Sequence, residues 1–394
     1  MLLQMQSAFI ATVCFCIFVE MMENSNCLSF IGKWLKNETE TYQQLVVNFY
    51  PYEKSLQLFD LRTKKILLHK TKIEDLLLCD FFIGAKLLIF GKQIDIIDYG
   101  DHHTKLKCGS EQCTFSMIHS EALQHIGDIL QAISENDLSI RKLKLLKIDE
   151  NYSWILKNIR SEQPELSYFI DNIPSNSFVA MEVTGNNSYE RFKELCGSND
   201  SNGAMTTAPA TLRALYGNGI YCPVNASNME SKFVFGNNSV RLCLKSLALF
   251  KNSTLCIIKP HAVRQGLSGH IISQILEKGF TISAMKMFRF ERANCEEFME
   301  VYKEVVQEFE SMVMQMISGD LLAIEISNKY ENACSTQQTF RDFCGPICPE
   351  VARITRPHTL RAKFGQNKIM NAIHCTDLEE DTNLELEYIF KFLP

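Results

Sequence analysis

The stretch "PHTLRAKFG" (residues 357–365) has a close copy, "PATLRALYG" (209–217), earlier in the same chain. Three further matches occur in the same order: "TFSMIHSEA" (114–122) with "TLCIIKPHA" (254–262), "AMEV" (180–183) with "AIEI" (323–326), and "FKELCG" (192–197) with "FRDFCG" (340–345). Because the order is kept and the period is about one domain length, these matches indicate two copies of one fold and not a solenoid of short repeats.

Within each copy, strand-like and helix-like stretches alternate. In the second copy a β-rich run (253–259) leads into "SGHIISQILEKGF" (268–280). That stretch has the period of an amphipathic helix, with apolar positions on one face and a glycine able to stop it: Ile271, Ile272, Ile275, Leu276 and Gly279. A strand, a helical run (296–319) and the strand "LLAIEI" (321–326) follow. The order β-α-β-α-β predicts an α/β sandwich.

The segment before the repeats reads as β structure. "SLQLFDL" (55–61) alternates apolar and polar residues, and "KLLIFGKQIDIIDYGD" (86–101) gives two β-rich runs around Gly91. A small antiparallel β domain over residues 26–107 is therefore expected. It carries no catalytic constellation, and we expect His102 and His103 to lie in a solvated loop.

Composition limits the function. A chain of 394 residues is long enough for two or three domains, and its net charge of -6 argues against a nucleic-acid-binding protein, which normally presents a basic surface. The 15 cysteines form no framework, which fits a reducing compartment. Residues 1–25 contain an apolar run too short to span a bilayer. Three interpretations of that extension stay open: a signal peptide, a docking or buried segment, and a mis-assigned start codon.

The stretch "NAIHCTD" (371–377) contains His374 without a second histidine or cysteine at metal-ligand spacing, so no metal site is predicted there. Lys259, Arg341 and Arg361 are separated cations in a net acidic chain, which suggests a local anion site for a ligand such as a polyphosphate. No glycine-rich P-loop occurs, so side chains would have to hold the phosphates.

Together, "IIKPHAV", "FRDFCGP", "RPHTLRAKFG" and "NAIHCTD" resemble the ordered motif series of nucleoside diphosphate kinases. The β segment "FIGAKLLIFGKQIDIIDYGD" resembles a DM-ten domain, and the whole arrangement is similar to the divergent, seventh type of that family. The resemblance implies an α+β protein: an N-terminal extension (1–25), a PH-like DM-ten β domain (26–107), a degenerate kinase domain (112–245) and a kinase domain with the active-site histidine (252–394). Both kinase domains would have a ferredoxin-like α/β sandwich fold.

The resemblance also implies roles for residues of the second copy. His374 matches the histidine that carries the phosphoryl group in a ping-pong cycle, and Glu385 matches the carboxylate that orients its ring. The implied nucleotide-binding residues are Lys259, Tyr302, Phe309, Arg341, Arg361 and Asn371. Mg²⁺ would arrive with the nucleotide and be held chiefly by its phosphates. Ile347, Cys375 and Thr376 depart from the usual family pattern.

Matching the first copy to the same motifs predicts that it is catalytically dead. His119 stands at the lysine position and Lys193 at the Arg341 position, while Arg213 is kept. The segment after "LRALYG" reads "NGIYCPVNASN", which places Asn225 or a neighbour where the histidine should be, and an amide is not a useful phosphoryl acceptor.

Two functions follow from the resemblance. The first is a kinase that acts on nucleoside di- and triphosphates, with activity in the second copy alone. The second is a largely structural component of axonemal doublet microtubules or of a γ-tubulin-associated scaffold at the centrosome. Both imply the cytoplasm and cytoskeleton, in a cilium or at a centrosome, with tubulin-associated partners and neither nucleic acid nor membrane.

Overall fold

The computed structural model describes residues 27–36, 41–73, 76, 78, 81, 83, 86–90, 92–109, 111–148, 177–198, 205–217, 219–222, 234–235, 244–328 and 335–393. The N-terminal extension, about which three interpretations were open, lies outside these residues. The chain divides into two compact units, Met1–Ser110 and Glu111–Pro394.

The first unit is an antiparallel sheet with one described helix. Its strands are β1 (Leu28–Lys36), β2 (Thr41–Tyr50), β3 (Ser55–Asp60), β4 (Ile66–Lys72), β5 (Lys86–Ile89) and β6 (Lys92–Tyr99), in the order β4-β3-β2-β1-β6-β5. The two β-rich runs predicted around Gly91 are thus strands β5 and β6, which pair antiparallel. Phe30, Phe49 and Phe81 fill the core, with the Phe49 and Phe81 rings stacked 4.2 Å apart.

The predicted loop at His102 and His103 was wrong, because these residues begin helix α1 (His102–Cys108). The Asp101 carboxylate caps the helix by accepting from the Thr104 N–H at 2.6 Å, which satisfies one of the unpaired amides of the first turn. Both histidines are exposed, and no shared metal or catalytic cluster forms among the described residues around them.

The second unit contains both repeats. The first copy comprises β7 (Glu111–His119), α2 (Ile126–Glu135), β8 (Ser139–Ile148), β9 (Ser177–Asn186), α3 (Ser188–Cys196), α4 (Leu212–Tyr216) and β10 (Ile220–Tyr221). A short strand, β11 (Leu244–Ser246), follows and pairs with β8. The second copy comprises β12 (Ser253–Ile258), α5 (Pro260–Arg264), α6 (Ser268–Glu277), β13 (Phe280–Phe288), α7 (Arg292–Phe298), α8 (Phe309–Met316), β14 (Leu321–Asn328), α9 (Thr336–Cys344), α10 (Pro349–Thr355), α11 (Leu360–Phe364), β15 (Ile373–Cys375) and α12 (Thr382–Glu387).

Strand order identifies the fold of each copy. The described sheet runs β10-β7-β9-β8-β13-β14-β12-β15, so each copy has its four main strands in the order fourth, first, third, second. All the pairings are antiparallel. This is the ferredoxin-like arrangement. The predicted α+β class is confirmed: a small antiparallel β domain precedes two ferredoxin-like sandwiches.

The two copies pair with each other inside the chain. Lys144 of β8 lies opposite Lys286 of β13, and these lysines occupy equivalent positions in the repeat. Helices α2 and α6 also pack together, with Gly127 of one facing Gly269 of the other. Because each element meets its own counterpart, the contact is isologous, like the two-fold interface of a homodimer.

The amphipathic helix predicted near residue 271 is confirmed as α6, whose Ile271, Ile272 and Ile275 are buried. The long helical run predicted over residues 296–319 was wrong, since α7 and α8 are separate helices with a short 3₁₀ turn (Glu300–Tyr302) between them. Val301 and Val305 in the interruption are exposed. Their apolar side chains gave this stretch the sequence pattern of an amphipathic helix, although the structure does not bury them in a core.

Glu325 is a fully buried carboxylate on β14 that binds the segment leading into β12, the first strand of the second copy. Its Oε2 accepts from the Leu249 N–H and the Ser283 hydroxyl, at 2.8 and 2.6 Å. Its Oε1 accepts from the Phe250 N–H and the Ser253 hydroxyl, both at 2.7 Å. Four donors thus compensate the burial of one charge.

We expect Glu325→Gln to lower the free energy of unfolding by about 3 kcal/mol, because the new NH₂ group would face two donors in place of an acceptor. Urea denaturation followed by circular dichroism measures the change. Glu277→Gln, at an exposed position of α6, serves as the control and should leave the midpoint unchanged. A Glu325→Gln midpoint equal to that of the parent protein would contradict this account.

Candidate active site

Lys259 follows the buried strand β12 directly and stands at the N-cap position of α5, where Pro260 occupies the first helical position. This position leaves its side chain only 5% exposed. The Nζ atom donates to the Ile369 carbonyl at 3.1 Å, and the Lys259 N–H donates to the Ala372 carbonyl at 2.9 Å. Burial, followed by the positive charge of Arg361, lowers the pKa of Lys259 to about 7. Above pH 7 the side chain is therefore largely a neutral amine, which can gain a proton when an anion approaches.

His374 lies on β15, opposite Ile257 of β12. Its Nε2 is 3.1 Å from Oε2 of Glu385, and the Thr376 hydroxyl donates to that same oxygen at 2.7 Å. Because a carboxylate only accepts, Nε2 of the neutral ring carries the proton and Nδ1 keeps its lone pair. Burial lowers the pKa of His374, but the charge and hydrogen bond of Glu385 outweigh it, so the net pKa is raised.

A strained turn precedes this histidine. Ala372 has a φ of 71°, and the Ile373 N–H donates to the Asn371 carbonyl at 3.0 Å, which closes a three-residue γ-turn. Such a backbone costs about 1–3 kcal/mol in a non-glycine residue, and strain of this size tends to accumulate at functional sites. Beside the turn, the Asn371 Nδ2 donates to the Ile347 carbonyl at 3.3 Å, whereas its buried Oδ1 has no hydrogen-bond partner in the described structure.

Asp377 joins two of the predicted nucleotide-binding residues. Its Oδ1 lies 2.8 Å from NH1 of Arg341, and its Oδ2 accepts from the Tyr302 hydroxyl at 2.5 Å. Burial, together with this hydrogen bond and the Asp377 charge, raises the pKa of Tyr302, which therefore stays a protonated donor. Arg341 is partly exposed, so an anion in the site could compete with Asp377 for its guanidinium.

Arg361 is buried and donates mainly to backbone. Its NH1 donates to the Gly345 carbonyl at 2.9 Å, and its Nε and NH2 donate to the Ile373 carbonyl, each at 3.3 Å. Its counterpart Arg213 makes the same contacts in the first copy, from NH1 to Gly197 at 2.7 Å and from Nε to Ile220 at 3.1 Å. The arginine therefore fixes the last strand in both copies, which explains why "TLRA" is the best-preserved part of the repeat.

Phe309 begins α8 and is half-buried against the core of the second copy. Glu308, the preceding residue, forms an ion pair at 2.8 Å with Lys368 in the loop that leads to Asn371. The start of α8 and this loop therefore lie together.

The structure links the predicted residues in two groups. The first group lies on or beside β15 and comprises Lys259, Arg361, Asn371, His374 and Glu385. In the second group, Tyr302 and Arg341 meet at Asp377. Sequence reasoning assigned no role to Gln337 or Asp377, and it treated Thr376 only as a departure from the family pattern. The hydroxyl of Thr376 is the signal that could have been used, because threonine can donate to a carboxylate as serine does.

In the first copy, Tyr221 occupies the position of His374. Tyr221 lies opposite Met117 as His374 lies opposite Ile257, and the His119 N–H donates to Gly219 at 2.8 Å as that of Lys259 does to Ala372. The predicted Asn225 was therefore wrong, and that residue lies outside the described residues. The spacing in the sequence did not reveal this, because the chain reaches Tyr221 five residues sooner after Arg213 than it reaches His374 after Arg361.

Across the described part of the chain, no group of three or more His, Cys, Asp or Glu side chains could hold a metal ion. Around His374 the carboxylates are also engaged, Glu385 by His374 and Thr376, and Asp377 by Arg341 and Tyr302. Both carboxylates therefore already have protein partners. Among the described helices, none is both long and apolar enough to cross a membrane.

The chain is similar in sequence to known proteins along most of its length. The family model for nucleoside diphosphate kinase matches residues 112–235 and 252–393. Nucleoside diphosphate kinase homolog 7 of Rattus norvegicus is 37% identical over 379 residues, which cover 94% of each chain. The nucleoside diphosphate kinase of Aquifex aeolicus is 37% identical over 140 residues, 36% of this chain and 94% of that protein. A crystal structure of the Aquifex enzyme covers 35% of this chain and 94% of its own, with a TM-score of 0.33. The family model and the homolog 7 relative show that the chain belongs to the nucleoside diphosphate kinase family, as a divergent member of the homolog 7 type.

Proposed function

We propose that the second copy is a nucleoside diphosphate kinase that moves the γ-phosphoryl group of a nucleoside triphosphate to a nucleoside diphosphate through phospho-His374. Membership of the family supports kinase-type chemistry on nucleotides. The observation that carries the proposal is the shared Oε2 of Glu385, which accepts from His374 Nε2 and from the Thr376 hydroxyl. This contact leaves Nδ1 as the ring's nucleophilic atom.

In the first half-reaction the Nδ1 lone pair attacks the γ-phosphorus. The bond from phosphorus to the bridging oxygen breaks, and the diphosphate leaves with that electron pair. The ring becomes cationic as the N–P bond forms, and the Glu385 carboxylate stabilises it through the Nε2–H hydrogen bond. A nucleoside diphosphate then attacks the phosphohistidine in the reverse sense, which restores neutral His374.

Charge neutralisation and positioning supply most of the catalysis in phosphoryl transfer. Lys259 and Arg341 are the cations suited to the phosphate oxygens, with Mg²⁺ entering as part of the nucleotide substrate. Arg361 has most of its N–H groups on backbone carbonyls, so its chief effect would be to hold the strand that bears His374. The unpartnered Oδ1 of Asn371 suits a hydroxyl donor such as a ribose hydroxyl. Stacking of the base on Phe309 stays a prediction.

Nucleotide binding above pH 7 should take up a proton at Lys259. The free side chain has a pKa of about 7, so it is largely neutral at pH 8, and a bound phosphate favours its charged form. Affinity should therefore fall as the pH rises from 7 to 9, whereas below pH 7 the lysine is already charged. Isothermal titration calorimetry with ADP at pH 8, in buffers of different ionisation enthalpy, measures the uptake.

Lys259→Met should remove this proton uptake and weaken binding, while Lys363→Met, at an exposed lysine of α11, should change neither. Equal apparent enthalpies in all buffers for the parent protein would contradict the prediction.

The proposed function is tested by incubating the purified chain with γ-labelled ATP and Mg²⁺. We expect a labelled protein whose phosphate is labile in acid and stable in base, as for phosphohistidine, and which a nucleoside diphosphate discharges to the triphosphate. An unlabelled protein under these conditions would overturn the proposal.

The first copy supports a second candidate function, a scaffold. It keeps a packed core and the Arg213 contacts although Tyr221 stands at the histidine position. A role beside axonemal or centrosomal microtubules, with tubulin-associated partners, is a proposal that rests on family resemblance. Cilium-deficient cells would test it: rescue by a His374→Asn variant equal to that by the parent chain would favour the scaffold, and loss of rescue would favour the enzyme.

A further inference from the structure

Helix α9 (Thr336–Cys344) carries a buried amide that reaches the active-site strand. Gln337 is 4% exposed, and its Nε2 donates to the Thr376 carbonyl at 2.8 Å and to the Asp377 carbonyl at 3.0 Å. Both N–H donors of the amide are thus used on two consecutive carbonyl groups. One turn later on the same helix, Arg341 also donates to the Asp377 carbonyl. Helix α9 therefore holds the backbone at Thr376 and Asp377, two and three residues after His374, by hydrogen bonds.

One of these two residues, Thr376, also contacts the carboxylate that holds the His374 ring. Thr376 donates its hydroxyl to Oε2 of Glu385, the same oxygen that accepts from His374 Nε2. A shift of the Thr376 backbone would move this hydroxyl away and leave Glu385 Oε2 with the His374 contact but without the Thr376 contact. The ring orientation thus depends on a chain of contacts that begins at Gln337 and passes through Thr376 and Glu385.

The first copy provides an internal comparison. Its helix α3 matches α9 through Phe192 and Cys196, which correspond to Phe340 and Cys344, so Tyr189 occupies the position of Gln337. A tyrosine hydroxyl is one donor, whereas the glutamine amide supplies two. The copy that has Tyr221 in place of the histidine therefore also has a different residue where the second copy has this amide.

We propose that Gln337 is a positioning residue for the phosphoryl-accepting His374, acting through the Thr376 backbone and Glu385. The proposal rests on the proposed function of this site. The alternative is a purely structural role, in which Gln337 only satisfies two buried carbonyl groups and adds to stability. The two roles differ in what they predict for the histidine itself.

The test uses Gln337→Met, which has a similar length and no donor, alone and combined with Thr376→Val. Since misplacement of a reacting group by about 1 Å can cost about 10²-fold, we expect Gln337→Met to slow phosphoenzyme formation by about 10- to 100-fold with little change in KM. Because both residues act along one path, the double variant should be no slower than the slower single variant. The proposal would be overturned if the rate loss of the double variant equalled the product of the two single losses. It would also be overturned if Gln337→Met formed the phosphoenzyme at the rate of the parent protein.

A second readout needs no nucleotide. Glu385 raises the pKa of His374, so loosening this contact should lower the pKa measured by NMR titration of ring-labelled histidine in the full chain. Gln337→Met should show the decrease, and Gln338→Met, one residue further along α9 and exposed, should not. An unchanged His374 pKa in Gln337→Met would overturn the positioning role.

This titration separates the two hypotheses, because it tests Gln337 even if the parent chain forms no phosphoenzyme. Thermal unfolding identifies variants that are folded at the assay temperature. If Gln337→Met is not folded, Gln337→Asn replaces it, since this variant keeps the amide on a shorter side chain. We then expect an intermediate loss of rate and a smaller decrease in the His374 pKa, and parent values in both readouts would overturn the proposal.

Discussion

Replacing His374 by asparagine should abolish phosphoenzyme formation and lower nucleotide-dependent phosphoryl transfer by about four orders of magnitude or more, as the loss of a covalent nucleophile does elsewhere. An amide nitrogen has no lone pair available for attack on phosphorus. The substitution keeps a polar group that can donate to Glu385, so the buried carboxylate keeps a hydrogen-bond donor and the fold should persist.

The measurement is retention of label from γ-labelled ATP, together with steady-state transfer to a nucleoside diphosphate. His358→Asn, at an exposed histidine of the same copy, should retain the parent label and rate. Adding Tyr221→His to the His374→Asn variant should restore nothing, because the first copy has His119 in place of the lysine and a shorter approach to β10. Label on the His374→Asn protein would show that the nucleophile lies elsewhere.

The second large effect is expected at the contact between the two copies. A Cβ atom on Gly127 would lie 2.5 Å from the Ser273 nitrogen and 2.9 Å from the Gly269 oxygen. A Cβ atom on Gly269 would lie 2.4 Å from the Gln131 nitrogen and 2.6 Å from the Gly127 oxygen. These neighbours are backbone atoms, which cannot rotate away, so helices α2 and α6 would have to separate.

Gly269→Val should therefore lower the free energy of unfolding by about 3 kcal/mol or more, at the upper end of overpacking effects. Urea denaturation measures the change, and analytical ultracentrifugation detects a chain that opens between its copies. Glu277→Val introduces the same side chain at an exposed position of α6 and should cost far less. A Gly269→Val protein as stable and compact as the parent would mean that the close helix approach is dispensable.

The sequence could point to several residues of the candidate site because the patterns that carry them are local. Lys259 at a strand end and the "NAIHCTD" stretch are visible as short patterns, and Glu385 follows within a dozen residues of His374. Gln337 and Asp377 were not predicted, since their roles depend on contacts across the fold: Gln337 meets Thr376, which lies far along the chain. An interior glutamine on a helix has no sequence signature that distinguishes it from a stabilising residue.

The sequence by itself determined the duplication and predicted an α/β sandwich for each copy, because repeated motifs and hydrophobic periods are properties of the chain order. The ferredoxin-like class and the reactive role of His374 were implied by the family resemblance, and the role of His374 stays a prediction. Only the tertiary structure decided that Tyr221 stands in the place of His374, because strand register is fixed by pairing across the sheet, whereas motif spacing fails when a loop shortens. It also decided that the copies pair within one chain, since Gly127 meets Gly269 only when the two helices pack. Finally, it assigned the preserved Arg213 and Arg361 to backbone contacts, a role that a cation in a phosphate motif does not reveal.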